Sequence, residues 1–104
     1  MRALSKFSVL VVEDDPAQCE LLACNLRAWG LRVFEADSGK AALDFLRSTK
    51  ENVCVMIADI NMPNMDGLTL IREIRRERPY RFYCIVISGY GDRQTVQQAM
   101  KAGA

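Results

Sequence analysis

The 104-residue sequence contains no histidine, and its four cysteines, Cys19, Cys24, Cys54 and Cys84, form no Cys-x-x-Cys pair. A zinc site built from histidine and closely spaced cysteines is therefore excluded. Cys54 and Cys84 lie within apolar runs, where a free cysteine behaves as a small core residue. Reduced cysteines of this kind are typical of cytoplasmic proteins, so we expect the protein to work in the cytoplasm.

Long apolar runs and an excess of charge of one sign are also missing. No stretch approaches the roughly 20 apolar residues of a transmembrane helix, and the first residues lack a signal-peptide cleavage pattern. The formal net charge is +1, so no global field draws the chain to nucleic acid or to a membrane. The length predicts one small domain with a single core.

Segments with the patterns of strands and helices alternate along the chain with short connections. Four segments are continuous apolar runs or alternate apolar and polar residues, as strands do. They span 7–12, 31–36, 53–59 and 82–89. Four segments have apolar residues at helical spacing, at 17–29, 39–49, 68–78 and 92–104. This (βα)4 order predicts an α/β fold, a doubly wound parallel sheet with helices on both sides and right-handed crossovers.

The first helical segment has clear start and stop signals. Asp15 can cap its N-terminus, Pro16 suits the first turn, and Gly30 suits the end. Ser38 is a comparable cap for the second helix. The apolar residues of the first helix lie at helical spacing at Leu21, Leu22, Leu26 and Trp29, with Cys19 and Ala23 filling in.

Polar side chains gather where three predicted strands end. Glu13, Asp14 and Asp15 follow the first strand, Asp59 ends the third, and Ser88 lies at the end of the fourth. The functional crevice of such a sheet lies at the carboxyl ends of its strands, so these groups converge if the three strands are neighbours. Adjacent carboxylates repel by about 1 kcal/mol per pair at 4 Å in water. A divalent cation would reverse that repulsion, and oxygen donors without histidine favour Mg²⁺.

Some of these residues have a purely structural interpretation as well. Asp15 before a proline is explained by helix capping alone, and Glu13 and Asp14 taken by themselves could be solvated loop acids. The arginines between positions 72 and 81 suggest nucleic acid, but Glu73 and Glu77 are interleaved with them, and basic residues favour a helix C-terminus. We therefore interpret this cluster as a solvated helix end and predict no direct nucleic-acid binding.

Four motifs in this order resemble the receiver domain of two-component response regulators, the phospho-acceptor module of bacterial signalling. "VLVVEDDP" resembles the first strand and acidic pair of that family, and "ADINMPNMDG" resembles its acceptor-aspartate segment. "VISGYG" resembles the fourth strand with its hydroxyl residue, and "AMKAGA" resembles the stretch that leads into the fifth strand. The resemblance covers the whole chain, 1–104, and implies the flavodoxin-like receiver fold.

The resemblance also implies a role for each site residue. Asp59 would accept a phosphoryl group from a phosphohistidine of a sensor histidine kinase or phosphotransfer protein. Glu13, Asp14, Asp59 and the carbonyl of Asn61 would hold Mg²⁺, and the Ser88 hydroxyl would bond a phosphoryl oxygen. The implied activity is self-phosphorylation with at most weak self-dephosphorylation, coupled to a conformational switch. Turnover of external substrates is not implied.

The sequence departs from the family pattern at its C-terminal end. The fifth strand with its lysine, and the fifth helix, would follow Ala104, and Lys101 is too early to replace that lysine. We therefore expect a receiver domain that is incomplete at its C-terminus and belongs to a longer protein. A chain that truly ended at Ala104 would expose the fourth strand as an apolar edge, and would associate as a homodimer through 82–88 or be poorly stable.

One other function remains as an alternative, and two more are disfavoured by the sequence. A receiver-like interaction module that has lost the switch would act without phosphorylation, which the missing lysine favours. A phosphatase of the haloacid-dehalogenase type would carry its nucleophile on the first strand in a DxD arrangement, unlike "EDDP". A nucleotide-binding flavodoxin-like protein would have a glycine-rich first turn, whereas this turn is acidic and repels phosphate unless a metal intervenes.

Overall fold

A computed structural model of the protein describes residues 8–59, 67–78 and 82–87. Within these ranges the strands and helices alternate, and the predicted segments are confirmed to within about two residues at each end. In chain order they are β1 (Ser8–Val12), α1 (Pro16–Ala28), β2 (Arg32–Ala36), α2 (Gly39–Ser48), β3 (Val53–Asp59), α3 (Gly67–Glu77) and β4 (Tyr83–Ile87). The predicted last helix, 92–104, lies outside the described residues.

The four strands form one sheet in the order β2-β1-β3-β4, and each neighbouring pair is parallel. The predicted α/β architecture with a parallel sheet is therefore confirmed. β1 lies inside the sheet, and all five of its residues are buried. A continuous valine-rich run suits this position because both of its faces are covered by helices.

Helices α2 and α3 pack against one face of the sheet and form the larger part of the core. Their buried side chains include Leu46, Leu70 and Ile74, which meet Leu10 and Met56 of the inner strands. Phe34 and Phe45 stack at the margin with ring centroids 5.0 Å apart. Burial of a large aliphatic side chain contributes about 1.5–3 kcal/mol, so this face supplies most of the stability of the described region.

Helix α1 packs against the opposite face, where the core is smaller. Cys19 and Ala23 of α1 meet Val9, Val11 and Val33 of the two nearest strands. Near β4 this face is less covered. Side chains alternate between the two faces along a strand, and Cys84 of β4 is buried on the opposite face, against α2 and α3. Its neighbours Tyr83 and Ile85 are 68% and 51% exposed.

The orientation of α1 corrects one detail of the sequence interpretation. Of the apolar residues at helical spacing, Leu22 and Leu26 are only partly buried against the sheet, whereas Leu21 is 65% and Trp29 70% exposed. At 100° per residue these side chains together with Cys19 and Ala23 span about 200°, more than half of the helix circumference, so one flat sheet cannot bury all of them. The sheet selects the face centred on Cys19, Ala23 and Leu26.

The predicted helix ends are confirmed in detail. The Asp15 carboxylate accepts hydrogen bonds from the N–H groups of Ala17 at 3.0 Å and Gln18 at 3.5 Å. The Ser38 hydroxyl accepts one from the N–H of Ala41 at 3.0 Å. Gly30 follows α1 with φ of 90°, a left-handed conformation that costs glycine little. These caps satisfy backbone groups that the helices leave unpaired.

The helices within 8–59, 67–78 and 82–87 are all too short or too polar to cross a membrane. All four cysteines are free. Cys84 is buried as predicted, and Cys54 is partly exposed.

Candidate functional site at the carboxyl ends of the strands

The carboxyl ends of β1, β3 and β4 lie side by side. Val12, the last residue of β1, pairs with Ala58 of β3, so Glu13 and Asp59 come next at the same level of two adjacent strands. Asp59 in turn pairs with Ile87, the last residue of β4. The expectation that the first, third and fourth strands are neighbours is therefore confirmed, and it brings the main chains of these strand ends together.

Glu13 is fixed to the sheet through its main chain. Its N–H donates to the carbonyl of Ala36 at 3.0 Å, which continues the pairing of β1 with β2 by one residue. Its carboxylate Oε1 accepts a hydrogen bond from the N–H of Asp15 at 3.1 Å, and the side chain is partly buried. One carboxylate oxygen is thus used to shape the turn between β1 and α1.

Asp14 and Asp15 differ in their surroundings although they are adjacent. Asp15 caps α1, as described above, so its structural interpretation is confirmed. Asp14 is exposed, and within the described part of the chain its carboxylate makes no hydrogen bond or ion pair. Asp14 therefore has oxygen atoms available to a ligand from solvent.

A groove of about 640 Å³ opens beside these acids and runs between α1 and β2. Glu13, Asp14 and Asp37 line it near the strand ends, and Glu35 and Arg27 line it further along. Asp37 directly follows β2, whose Ala36 pairs with Val12, so Asp37 stands at the level of Glu13 on the other side. We did not single out Asp37 in the sequence, although the rule that directed us to strand ends applies to it equally.

Arg27 and Glu35 form an ion pair at the far end of this groove. The Arg27 Nη2 donates to the carbonyl of Val33 at 3.0 Å and to a Glu35 carboxylate oxygen at 3.2 Å. The Cys19 thiol lies beside Glu35, and its pKa is raised to about 11 by burial, by a hydrogen bond with Glu35 and by the negative charges of Glu35 and Glu13. Cys19 is therefore a protonated structural thiol at neutral pH.

The remaining predicted site groups fall in other parts of the chain. Asn61 and Ser88 lie outside the described residues, as does Lys101, and for Asp59 the structure describes the main chain. Across residues 8–59, 67–78 and 82–87, no three cysteine or acidic side chains are grouped closely enough to hold a metal ion. The roles predicted for Glu13, Asp14, Asp59, Asn61 and Ser88 stay predictions.

The arginine-rich end of α3 is engaged in local contacts. Arg76 pairs with Glu73 one turn away on the same helix. Arg78 donates to the carbonyl of Leu46 at 2.6 Å and lies over the ring of Phe82, with its guanidinium carbon 5.7 Å from the ring centroid. Part of this positive charge is thus balanced within the protein.

Comparison with known proteins agrees with this architecture. A family model described as response regulator receiver domain matches residues 9–104. The solved structure of a response regulator receiver protein from Pseudomonas putida is similar, with a TM-score of 0.85 and 33% sequence identity. That match covers 93% of this chain and 79% of the other. The chain belongs to the receiver-domain family of two-component response regulators and has its parallel α/β fold.

Two relatives of known activity match the chain over part of their length. Over 96 residues it is 33% identical to the transcriptional regulatory protein ZraR of Escherichia coli K12, a match covering 92% of this chain and 21% of ZraR. Over 99 residues it is 32% identical to a cyclic di-GMP phosphodiesterase of Thermotoga maritima, covering 93% of this chain and 25% of that enzyme. The chain thus spans about a fifth to a quarter of the length of these relatives.

Proposed function

We propose that Asp59 is the phosphoryl acceptor of this receiver domain, and that a sensor histidine kinase or a phosphotransfer protein is the donor. The alignment of three strand ends supports this proposal most directly. Asp59 ends β3, Glu13 follows the paired end of β1, and β4 ends beside Asp59. A carboxylate in that position is flanked by acidic residues on one side and by the strand that leads to Ser88 on the other.

The proposed transfer moves one phosphoryl group between two side chains. A carboxylate oxygen of Asp59 forms a bond to phosphorus while the bond between phosphorus and the donor imidazole nitrogen breaks. The imidazole leaves with the bonding electron pair. Such transfers need alignment and neutralisation of charge more than covalent chemistry from the protein. The Ser88 hydroxyl would donate a hydrogen bond to a phosphoryl oxygen of the product.

The acids beside Asp59 fit a magnesium ion by their chemistry. Their donors are carboxylate oxygens, and Asp14 is exposed to water, which Mg²⁺ retains as ligands. Glu13, Asp14, Asp59 and the carbonyl of Asn61 would hold the ion. When bound, it supplies positive charge that offsets the negative charge of the acceptor carboxylate and of the phosphoryl group. Without it, the acids along the groove repel the incoming group.

Binding of beryllofluoride, a phosphoryl analogue, tests this proposal. We expect the wild-type protein to bind it when Mg²⁺ is present and to lose that binding in chelator, as followed by fluorine NMR. Asp59→Asn should abolish binding because the acceptor oxygen is replaced by an amide nitrogen. Asp14→Asn should raise the Mg²⁺ concentration required, because one carboxylate ligand is lost.

Asp37→Asn is the matched control for these variants. Asp37 is an exposed acid at the same level of the sheet, but it lies at the end of β2 and is not among the proposed ligands. The control should bind beryllofluoride as the wild type does. Binding by Asp59→Asn equal to the wild type would refute the acceptor assignment and favour a receiver-like module that acts without phosphorylation.

Two further features of the proposed function have local support. The four cysteines are free thiols, which supports a location in the reducing cytoplasm. We also propose that the end of α3 does not bind nucleic acid directly, and the ion pair of Arg76 with Glu73 supports this by balancing part of its positive charge.

Association through the fourth strand is a conditional part of the proposal. Within the described sheet, β4 pairs with β3 on one side, and its side chains Tyr83 and Ile85 are exposed. If the chain ended at Ala104, we propose that it would associate through 82–88 or be poorly stable. Tyr83→Asp would weaken that association, as measured by sedimentation.

A further inference from the structure

The outward face of α1 has an unusual composition for a surface helix. It lies opposite Cys19 and Ala23, which face the sheet, and it is exposed along its full length. Its central residues are apolar and follow one another at intervals of four, three and four, the spacing of a coiled-coil seam. We call these residues the outer stripe of α1: Ala17, Leu21, Cys24 and Ala28.

We propose that the outer stripe binds the outer stripe of a second copy of this chain, in an antiparallel helix pair related by a two-fold axis. The intervals of four, three and four residues read the same from either end of the helix. Two copies of the stripe can therefore pack side by side in antiparallel orientation with equivalent contacts at both ends. In this arrangement Leu21 packs against Cys24 of the second copy, and Ala17 packs against Ala28. Small residues at the two ends let the helices approach closely while Leu21 fills the centre.

The charged residues beside the stripe support a second copy as the occupant. Glu20 and Arg27 lie on the same flank, seven residues apart, and both are exposed. A two-fold axis perpendicular to an antiparallel pair brings each flank against the same flank of the other copy, with the direction reversed. Glu20 of each copy therefore meets Arg27 of the other, which forms two equivalent ion pairs.

Both members of this pair are available for the contact. Within the described region Glu20 has no ion-pair partner. Arg27 bonds Val33 and Glu35 through Nη2, its side chain is 47% exposed, and a guanidinium has five N–H donors. On the opposite flank Gln18 and Asn25 would meet in the same reciprocal way, as uncharged amides that can bond each other.

Trp29 caps the C-terminal end of α1 and is 70% exposed. It lies to one side of the outer stripe, on the flank of Gln18 and Asn25, so in the antiparallel pair it stands at the margin of the interface. A single helix about 20 Å long gives a small interface, so we expect a weak, reversible dimer.

Sedimentation equilibrium over about 5 µM to about 1 mM protein tests for this dimer. The wild type should show a concentration-dependent monomer–dimer equilibrium, and the fluorescence of its single tryptophan should change along the same curve. Leu21→Asp should weaken association by roughly a hundredfold or more, because it places two carboxylates at the apolar centre. Circular dichroism would confirm that the variant is folded.

A charge exchange tests the two-fold arrangement itself. Glu20→Arg alone and Arg27→Glu alone should each weaken association about tenfold, since each variant brings like charges together across the axis. An equimolar mixture of the two variants should associate at least as well as the wild type, because every cross-pair then joins opposite charges. Parallel helices, or contact through another surface, would not produce this recovery.

Several results would overturn the proposal. They are a wild type that stays monomeric at every concentration, single-charge variants that associate like the wild type, and a mixture that shows no recovery. Association lost in Tyr83→Asp but kept in Leu21→Asp would assign the dimer to β4 instead. Asp59→Asn should dimerise normally, so this proposal and that of the phosphoryl acceptor can fail independently.

Discussion

Helices cover the two faces of the sheet to different extents. On one face α2 and α3 cover the inner strands, and Leu70, Ile71 and Ile74 of α3 are essentially inaccessible to solvent. On the other face α1 covers β1 and β2, while Tyr83 and Ile85 of β4 remain exposed. The first face therefore carries most of the folding energy, and the second is where this domain can still gain contacts.

The largest expected difference between the faces is in the free energy of unfolding. Ile74→Ala removes a side chain that is 1% exposed and should cost about 2–5 kcal/mol. The same change at Ile85, which is half exposed, should cost under about 1 kcal/mol. Urea denaturation of both variants at low protein concentration measures the difference. Equal losses would mean that the β4 face is covered in solution.

The two sides of α1 should differ next most in the reactivity of their cysteines. Cys24 is exposed, whereas Cys19 is buried and its pKa is raised to about 11. At pH 8 a thiol with this pKa carries about a hundredfold less thiolate than one with the ordinary value of 9.0. A limiting amount of a thiol reagent should therefore label Cys24 first, as peptide mass spectrometry would show. Rapid labelling of Cys19 would place it in solvent and invalidate the assigned orientation of α1.

The smallest expected effect concerns the ion pair that joins α2 to α3. Arg47 donates two hydrogen bonds to Glu77, at 2.9 and 2.8 Å, and this contact lowers the pKa of Glu77. A lowered carboxyl pKa stabilises the folded state above the ordinary value of 4.5, and the contribution disappears as pH falls through the lowered pKa. Both side chains are exposed, so the contribution is small.

Comparing Glu77→Gln with the wild type at several pH values measures this contribution. The wild type should unfold at a slightly higher temperature at pH 7, and the difference should vanish in acid. Glu20→Gln, measured at concentrations where the protein is monomeric, is the control, because Glu20 has no ion-pair partner among the residues described here, and at pH 7 it should change the unfolding temperature less than Glu77→Gln does. A difference for Glu77→Gln that persists in strong acid would mean that it does not arise from the ionised pair.

Local patterns predicted most of the fold because their causes are local. Asp15 and Ser38 cap helices through bonds to residues two or three positions away, and Gly30 ends α1 through its own backbone conformation. The continuous valine run predicted a strand buried on both faces, and β1 is fully buried. The position of Asp59 at a strand end also followed from the apolar run that precedes it.

The site was predicted less completely than the fold. The acids after β1 and β3 were recognised from their positions at strand ends, and the sheet order makes those ends neighbours. Asp37 was not predicted, because β2 alternates apolar and polar residues and lacks the continuous apolar run that marked the ends of β1 and β3. Its closeness to Glu13 depends on the register of β1 with β2, a contact between distant parts of the chain.

By itself the sequence determined the order of strands and helices, the helix ends, and the acidic residues at the strand ends. Each of these depends on interactions within a few residues. Only the tertiary structure decided which side of α1 faces the sheet, and so left Leu21 and Trp29 exposed. The reason is geometric: α1 has apolar residues around most of its circumference, and only packing against a particular sheet determines which of them are buried.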